Sequence, residues 1–504
     1  MSKFSRRTMV RATLLTAAAT ALAACNKVNP LGQGSAGSPG SQGPNAGANA
    51  PSSQPVTINY WDWWVTQGPT IDNEIKLFQQ KNPNVTVQKT TQVVDQYPNL
   101  LQLAMKAQTS PDVFLIPSAP TVIEQIDQQW LKPLDQWATP KWQAEFPPLS
   151  FAEGSNVFQG KVYSAPYDGP APWLQLYINN KLFKQAGLVD SNGKVKTPQT
   201  WSDVQTAAQA ITKAGQGGVG WGFGDKQKTV LPWQMMLCQT SGTPDAQGAF
   251  DLRTGTYTWA SNPVFLDWIK FFMGMKTAGL ITPDAISMDD ETARVNFAIG
   301  KFAMIIGGVW NQSGWTKTNP DFTDYSVVAL PHQGATPTSY FYTSPGGTDF
   351  AVSNQTKLSD AAWQWFSWLN SKPAAIRWVQ AGQGLRIFPD ANKLEYAKTE
   401  PYREYMRAAL DGIRMAPSPG LQHPTMSLVK PQTTLPDIQG ILEGIYTGQI
   451  QDWKGALQDL EKRENAAQAA AIQDAKSRGI DVNPSWWRVP DWNLTQNYVQ
   501  KTQK

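Results

Sequence analysis

From Val56 onward the chain switches repeatedly between two hydrophobic periods, and this alternation limits its fold more than any other feature. Val56-Thr57-Ile58-Asn59-Tyr60-Trp61 places apolar side chains at every second position, the period of a half-buried strand. Thr70 to Lys81 then sets Ile71, Ile75 and Phe78 at helical spacing, and Asn82-Pro83 stops it. Val85-Thr86-Val87 reads as a second strand, Asp95 to Thr109 as a second helix carrying Leu100, Leu101, Ala104 and Met105, and Asp112 to Ile116 as a short buried strand. Strands that alternate with helices predict an α/β fold with a mostly parallel sheet. Further helices are expected over Thr200–Lys213 with Thr200 as N-cap, over Pro263–Ala278, and over Ser359–Asn370, the last two with Trp and Phe turned inward. Ile305-Ile306 and Val327 to Leu330 read as later strands, and Gly440 to Gln473 as a polar helical end. No repeat of 20 to 50 residues supports a solenoid.

The stretch before Val56 has a different character. Met1 to Cys25 carries a basic start, a small-residue apolar run from Ala12 to Ala24, and a cysteine, the pattern of an export signal. The run is too short and too rich in Ala and Thr to span the ~30 Å of a bilayer core permanently. Ser5-Arg6-Arg7-Thr8-Met9-Val10 resembles a twin-arginine signal, with a chance arginine pair in an ordinary secretory signal as the alternative. Leu22-Ala23-Ala24-Cys25 looks like a bacterial lipobox, which makes Cys25 the expected lipid attachment site and 1–24 the removed signal. Residues 25–55 are dominated by Gly, Ser, Pro, Asn, Ala and Gln and read as a flexible tether. The expected location is outside the cytoplasmic membrane or in the periplasm, anchored by lipid.

Composition excludes several classes. Cys238 is the only other cysteine, so a disulfide within the expected mature globular part is impossible. With two histidines and no CxxC, a Cys/His zinc site is not expected, and no cofactor is called for. The net charge of +4 is spread without a dense basic block, which argues against a nucleic-acid partner. Two GxGxxG matches, Gly32–Gly37 and Gly215–Gly220, lack the strand-then-helix context of a dinucleotide site, and Gly215 reads better as a helix C-cap. The anomaly is aromatic: 22 Trp and 14 Tyr exceed the needs of cores of this size, and rings with an apolar face and a polar edge suit carbohydrate surfaces.

A set of segments in fixed order carries a family resemblance: Asn59-Tyr60-Trp61-Asp62-Trp63, Pro111-Asp112-Val113-Phe114, Trp130-Leu131-Lys132-Pro133-Leu134, Gly160 to Tyr167, Leu176 to Phe183, Thr197 to Trp201, Phe297 to Met304 with Gly308-Val309-Trp310, and Gly346-Gly347. Across roughly residues 56 to 480 the chain resembles the bacterial extracellular solute-binding proteins that include the maltose and glycerol-phosphate binders. That resemblance implies a two-lobed periplasmic-binding-protein-like fold of type II, with discontinuous lobes and hinge crossings near Ala171–Tyr177, Val327–Pro331 and Leu385–Phe388. Lobe 1 is then expected over 56–171 and 331–387, lobe 2 over 172–330 and 388–482, and a C-terminal tail over 483–504. It further implies capture of a small solute without chemistry, delivery to the permease subunits of an ABC importer, and a monomer. Asp168-Gly169-Pro170-Ala171-Pro172 is richer in proline than the pattern at the first crossing.

An uncharged sugar needs aromatic planes and hydrogen-bonding groups, expected where strand ends face the inter-lobe crevice. Trp63 and Trp64 follow the first strand, with packing under the first helix as the alternative for each. Trp310 lies where the resembling maltose binders stack a ring, and Trp233 has a similar place in the second lobe. Tyr167, Asp168 and Trp173 sit at the first crossing. Gly346 and Gly347 would let a ligand approach the backbone, or form a simple tight turn. Arg386 would grip hydroxyls or a phosphate, or form an inter-lobe ion pair. Ser118 is a weaker candidate, and Asp112 is expected to cap or pair inside its lobe. Rival readings are a secreted glycoside hydrolase, for which Asp289-Asp290-Glu291 is the only tight acidic cluster, and a binding lipoprotein serving a sensor kinase. Mono- or oligosaccharide is the favoured solute, with glycerol-phosphate-like and polyamine-like solutes as alternatives.

Overall fold

The computed structural model describes residues 54–215 and 218–501. The expected export signal, Cys25, nearly all of the tether and the Gly32–Gly37 motif lie outside the described residues. Among the described residues no helix is long and apolar enough to cross a membrane.

The first lobe is built on a four-stranded sheet in the order Phe350–Val352, Val113–Leu115, Val56–Asp62, Val85–Thr91. The three early strands run parallel, with Tyr60 opposite both Lys89 and Val113, and the late strand closes one edge antiparallel. Parallel neighbours need crossover segments, here carrying the helices Gly68–Lys81 and Tyr97–Lys106. The second of these buries Tyr97, Leu101, Ala104 and Met105, one stripe of an amphipathic helix. Helix Ser359–Leu369 packs against the sheet through Trp365, whose ring lies 5.7 Å from Tyr60 and 5.2 Å from Phe78. The expectation of inward aromatics holds there for Trp365 and Phe366 but not for Trp363 and Trp368, which are only partly buried. Asp112 works inside the lobe as expected, accepting from the Asn59 backbone N–H at 2.8 Å and from the Thr356 hydroxyl.

The second sheet has the order Tyr325–Val328, Gln175–Asn179, Phe302–Gly307, Val219–Trp221. Only its last pairing is parallel, so the expected mostly parallel arrangement fails in this lobe. The reason is topological: Gln175–Asn179 comes directly from the hinge, and both its neighbours run against it, a pairing that needs no crossover helix. Its two central strands are buried at every position, because both faces are covered. Leu176, Ile178, Met304 and Ile306 enter one core with Trp221 and Trp268. Tyr177, Ile305, Tyr325 and Val327 enter another that continues into the first lobe. Helix Glu400–Gly412 lies in that shared core through Tyr402, Tyr405, Met406 and Ala409. Its Glu404 accepts from the Val327 N–H at 2.8 Å, while the Tyr402 hydroxyl donates to the Gly384 carbonyl at 3.2 Å, so one helix ties the second sheet to the turn after the first lobe's last helix.

Local signals explain several boundaries. Helix Trp201–Ala214 starts at a capping box between Thr200 and Asp203 and ends at Gly215, whose φ of 65° is left-handed. The expected polar helical end is two helices separated after Gly448 at φ 80°, and only Trp453–Ser477 is polar, since Ile438–Thr447 puts Ile441, Leu442, Ile445 and Tyr446 into the second-lobe core. Strands Phe341–Thr343 and Ile413–Met415 pair with each other outside both sheets. The tail lies over this pair: the Tyr498 N–H donates to the Met415 carbonyl at 2.9 Å, the Tyr342 hydroxyl donates to the Leu494 carbonyl at 2.7 Å, and the buried Trp492 packs 4.9 Å from the Tyr342 ring.

Candidate functional site

Between the lobes lies a cleft of about 380 Å³ whose lining includes six indoles. Trp63 and Trp64 come from the turn after Val56–Asp62, where the Asp62 carboxylate accepts the Trp64 N–H at 3.2 Å. Trp64 also packs 5.0 Å from Trp378, so it serves the cleft wall and the core at once. The second-lobe side presents Trp233 and Trp310, with Trp173 from the hinge between them at 5.7 Å and 6.4 Å. Trp233 stands in the first turn of the 3-10 helix Pro232–Thr240, and the segment leading into it is held by Asp225, one oxygen of which accepts the N–H groups of Thr229, Val230 and Leu231. Trp310 depends on a glycine, because a Cβ at Gly308 would lie 1.9 Å from its ring. The backbone there passes beneath the indole and leaves no room for a side chain.

The cleft floor is made where two crossings touch. The backbones of Asp168 and Arg386 pair as an isolated antiparallel bridge, the Gly169 N–H donates to the Leu385 carbonyl at 3.0 Å, and a Cβ at Gly169 would meet the Arg386 carbonyl oxygen at 2.3 Å. Asp168 presents its carboxylate to the cleft, open to solvent there yet walled in by the surrounding side chains. That withdrawal from bulk water, and then Asp349, raise its pKa against the pull of Arg386. On the opposite wall Arg294 donates to Asp290 and, at 2.9 Å, to Glu291. Burial pushes the Asp290 carboxyl up to about 6, with Arg294 opposing and Glu291 and Asp289 adding to the rise.

Of the expected contact residues, Trp63, Trp64, Asp168, Trp173, Trp233 and Trp310 line this cleft. The other five do not, and each has a physical reason. Tyr167 is fully buried, its ring 5.4 Å below Trp64. Arg386 is fully buried on the other side of that ring, 3.1 Å from the centroid, and donates to the Tyr167 carbonyl at 2.7 Å and the Leu369 carbonyl at 3.0 Å. It grips backbone and forms no ion pair among the described residues. Gly346 and Gly347 form a tight turn at φ 89° and 140°, packed on Ser155 and Pro166. Ser118 is exposed in a loop held by Gln125, whose amide donates to the carbonyls of Pro117 and Pro120.

Sequence reasoning missed Trp378, Gln383, Tyr405 and Arg294, and singled out Asp290 and Glu291 only as acids of the rival hydrolase, although all six are on the wall. Trp378 follows Ala374 and Ala375 at core spacing in helix Lys372–Gln380 and looks like packing. The i,i+3 and i,i+4 spacing of Glu291 and Asp290 to Arg294 was a readable signal that these acids share one base. Two buried polar atoms on the wall have no protein partner, the indole N–H of Trp378 and the side-chain carbonyl of Gln383. A group able to accept from one and donate to the other is what such a floor can hold. Among the described residues no group of His, Cys, Asp and Glu is arranged to hold a metal ion.

Residues 62–376 match the sequence signature described as bacterial extracellular solute-binding protein. No curated protein matches the chain. Among solved structures, one from work on xylan utilization by the thermophilic bacterium Caldanaerobius polysaccharolyticus superposes at TM-score 0.64 with 18% identity, covering 81% of this chain and 100% of its own. An ABC transporter solute-binding protein from Thermotoga lettingae bound with α-D-tagatose gives 0.59 at 20% identity, with 82% and 100% covered. A maltose/maltodextrin-binding domain from Bdellovibrio bacteriovorus bound to maltotriose gives 0.55 at 18% identity, with 84% and 100% covered. At such identities the likeness shows the fold alone.

Proposed function

The chain belongs to the bacterial extracellular solute-binding protein family, and from that premise we propose that it captures a mono- or short oligosaccharide between its lobes and delivers it unaltered to the permease of an ABC importer. One observation carries this reading: indoles from both lobes and the hinge, Trp63 and Trp64 on one side and Trp173, Trp233 and Trp310 on the other, converge on a single cleft. Flat C–H faces of a sugar ring match indole faces, and its hydroxyls match Asp168, Gln383 and the Trp378 N–H. The tagatose and maltotriose held by the similar structures support the same solute class. Only the closed state lets one solute touch both walls, and that difference in contact shifts the hinge equilibrium towards closure.

Against a hydrolase, Asp290 and Glu291 are joined to one arginine on the same helix rather than facing each other across the cleft. We assign the contact set as Trp63, Trp64, Asp168, Trp173, Trp233 and Trp310, to which Trp378, Gln383 and Tyr405 are added. The lobe boundaries given above, export, acylation at Cys25 and a monomeric state belong to the same proposal. A thermal-shift screen over saccharides with Trp fluorescence as second readout tests it, because a solute bound to the folded state alone raises apparent stability. A panel of mono- to tetrasaccharides that neither raises Tm nor changes emission refutes the sugar reading, and product release from any glycan refutes the absence of chemistry.

A further inference from the structure

The charged groups lining the cleft do not balance. Three carboxylates, Asp168, Asp290 and Glu291, face one guanidinium, that of Arg294, and two of the three already occupy it. Asp168 is left over: exposed into the cleft floor, it receives neither a hydrogen bond nor an ion pair at its carboxylate from any described residue. Of the two unpartnered buried atoms in the same lining, one is the Trp378 N–H, a donor left for a ring hydroxyl, and the other is a second acceptor, the side-chain carbonyl of Gln383, a residue 8% exposed whose amide is spent on the Thr70 hydroxyl at 3.1 Å. Arg386 pulls on Asp168 from beneath but gives its carboxylate no hydrogen bond, because the guanidinium is buried under Tyr167 with Nε and one Nη on backbone carbonyls and the other Nη unpartnered.

We propose that the solute is an amino sugar, a saccharide whose protonated primary amine sits at the cleft floor against the Asp168 carboxylate and the Gln383 carbonyl while the indoles pack on its ring. This rests on the sugar-binding reading above and names the class within it. Closure strips water from Asp168, and an ionised carboxylate enclosed with no hydrogen-bonded cation, its one buried neighbour Arg386 being shared with Asp349, is costly. A neutral hydroxyl brings one hydrogen bond and no charge. An ammonium brings three donors and the charge, forms a charge-assisted bond to the carboxylate, and is attracted by the faces of the surrounding indoles. N-acetylation removes the charge, and an acidic sugar meets like charge on both walls.

The test is calorimetric titration with matched triads on wild type and Asp168→Asn: glucose, glucosamine and N-acetylglucosamine; the galactose equivalents; and the β-1,4 dimers of the glucose series. Choline serves as a cation without a sugar ring. Wild type is expected to hold the amine member of the triad it accepts roughly tenfold or more tightly than the neutral members at low salt. Asp168→Asn is expected to lose that preference, so that the amine and neutral members bind the variant within about twofold of each other. Neutral members that bind as well as the amine overturn this inference alone, as does an amine preference that survives Asp168→Asn. Silence from every triad overturns it together with the sugar reading, and tight choline binding without any sugar binding overturns the saccharide half.

Discussion

Trp310 is held over a residue that has no side chain, and this makes the aromatic wall testable from a position that touches no ligand. A Cβ at Gly308 would lie 1.9 Å from the Trp310 ring, and the nearest atoms are ring carbons with no slack, so Gly308→Ala forces the indole to swing away. Gly308 has no left-handed φ, so alanine adopts its backbone without strain. An enclosed indole buries about 150 to 250 Å². If roughly 60 Å² of that faces the solute, about 25 cal/mol per Å² gives about 1.5 kcal/mol, or about a tenfold loss of affinity. Trp310→Ala should lose the same amount, and the double variant should bind no worse than either single one, because both remove one interaction. Apo stability should move little for Gly308→Ala: the lost contacts with Trp173 and Trp233 are worth about 1 kcal/mol each, partly offset by the stiffer unfolded chain. The assay is titration with the best saccharide from the screen, with Tm measured alongside. Wild-type affinity in Gly308→Ala beside a weak Trp310→Ala would refute the ring placement, and wild-type affinity in both would refute the wall.

Three further outcomes follow from the packing. Asp168 has a folded-state pKa above the usual carboxylate range, so between the two values the folded protein binds more protons than the unfolded chain, and its contribution erodes stability as pH rises through that window. Asp168→Asn without ligand should therefore gain Tm over wild type at pH 7 and lose that gain near pH 4; a gain that is constant with pH refutes the assignment. Arg386→Met should leave the Leu369 carbonyl unpaired in the interior and strip the Tyr167 carbonyl of its charged donor, leaving it only the Ile387 N–H, and so lower stability by about 3 kcal/mol, while solute affinity of the folded fraction stays within about twofold. A selective loss of affinity there would restore Arg386 as a contact residue. Trp492→Ala should destabilise by roughly 3 kcal/mol in denaturant titration, since the buried ring anchors the tail on Tyr342, and an unchanged midpoint would show the tail to be dispensable.

What could be read in the sequence was local. The strand Val56–Asp62, the capping box at Thr200 and the stop at Gly215 follow from period and backbone chemistry within a few residues, which is why those elements lie where expected. Trp63, Trp64 and Trp310 were legible for the same reason, because a residue just past a strand end faces the crevice between lobes. Arg386 was misread because a guanidinium near a crossing satisfies the same pattern whether it points at solute or at the Tyr167 ring. Trp378, on a helix whose spacing reads as core, and Gln383, in the turn after that helix, stand more than three hundred residues from Trp63 along the chain, yet they complete the same wall. Which indoles face solvent and which carboxylate is left unpaired depend on how the chain crosses the hinge and which strands lie antiparallel, and no short-range pattern encodes that. The residue types, their periods and the two-lobed plan were set by the amino-acid order, whereas the assignment of each aromatic and charge to cleft or core came only with long-range packing, since one helix or turn can present either face until its neighbours are in place.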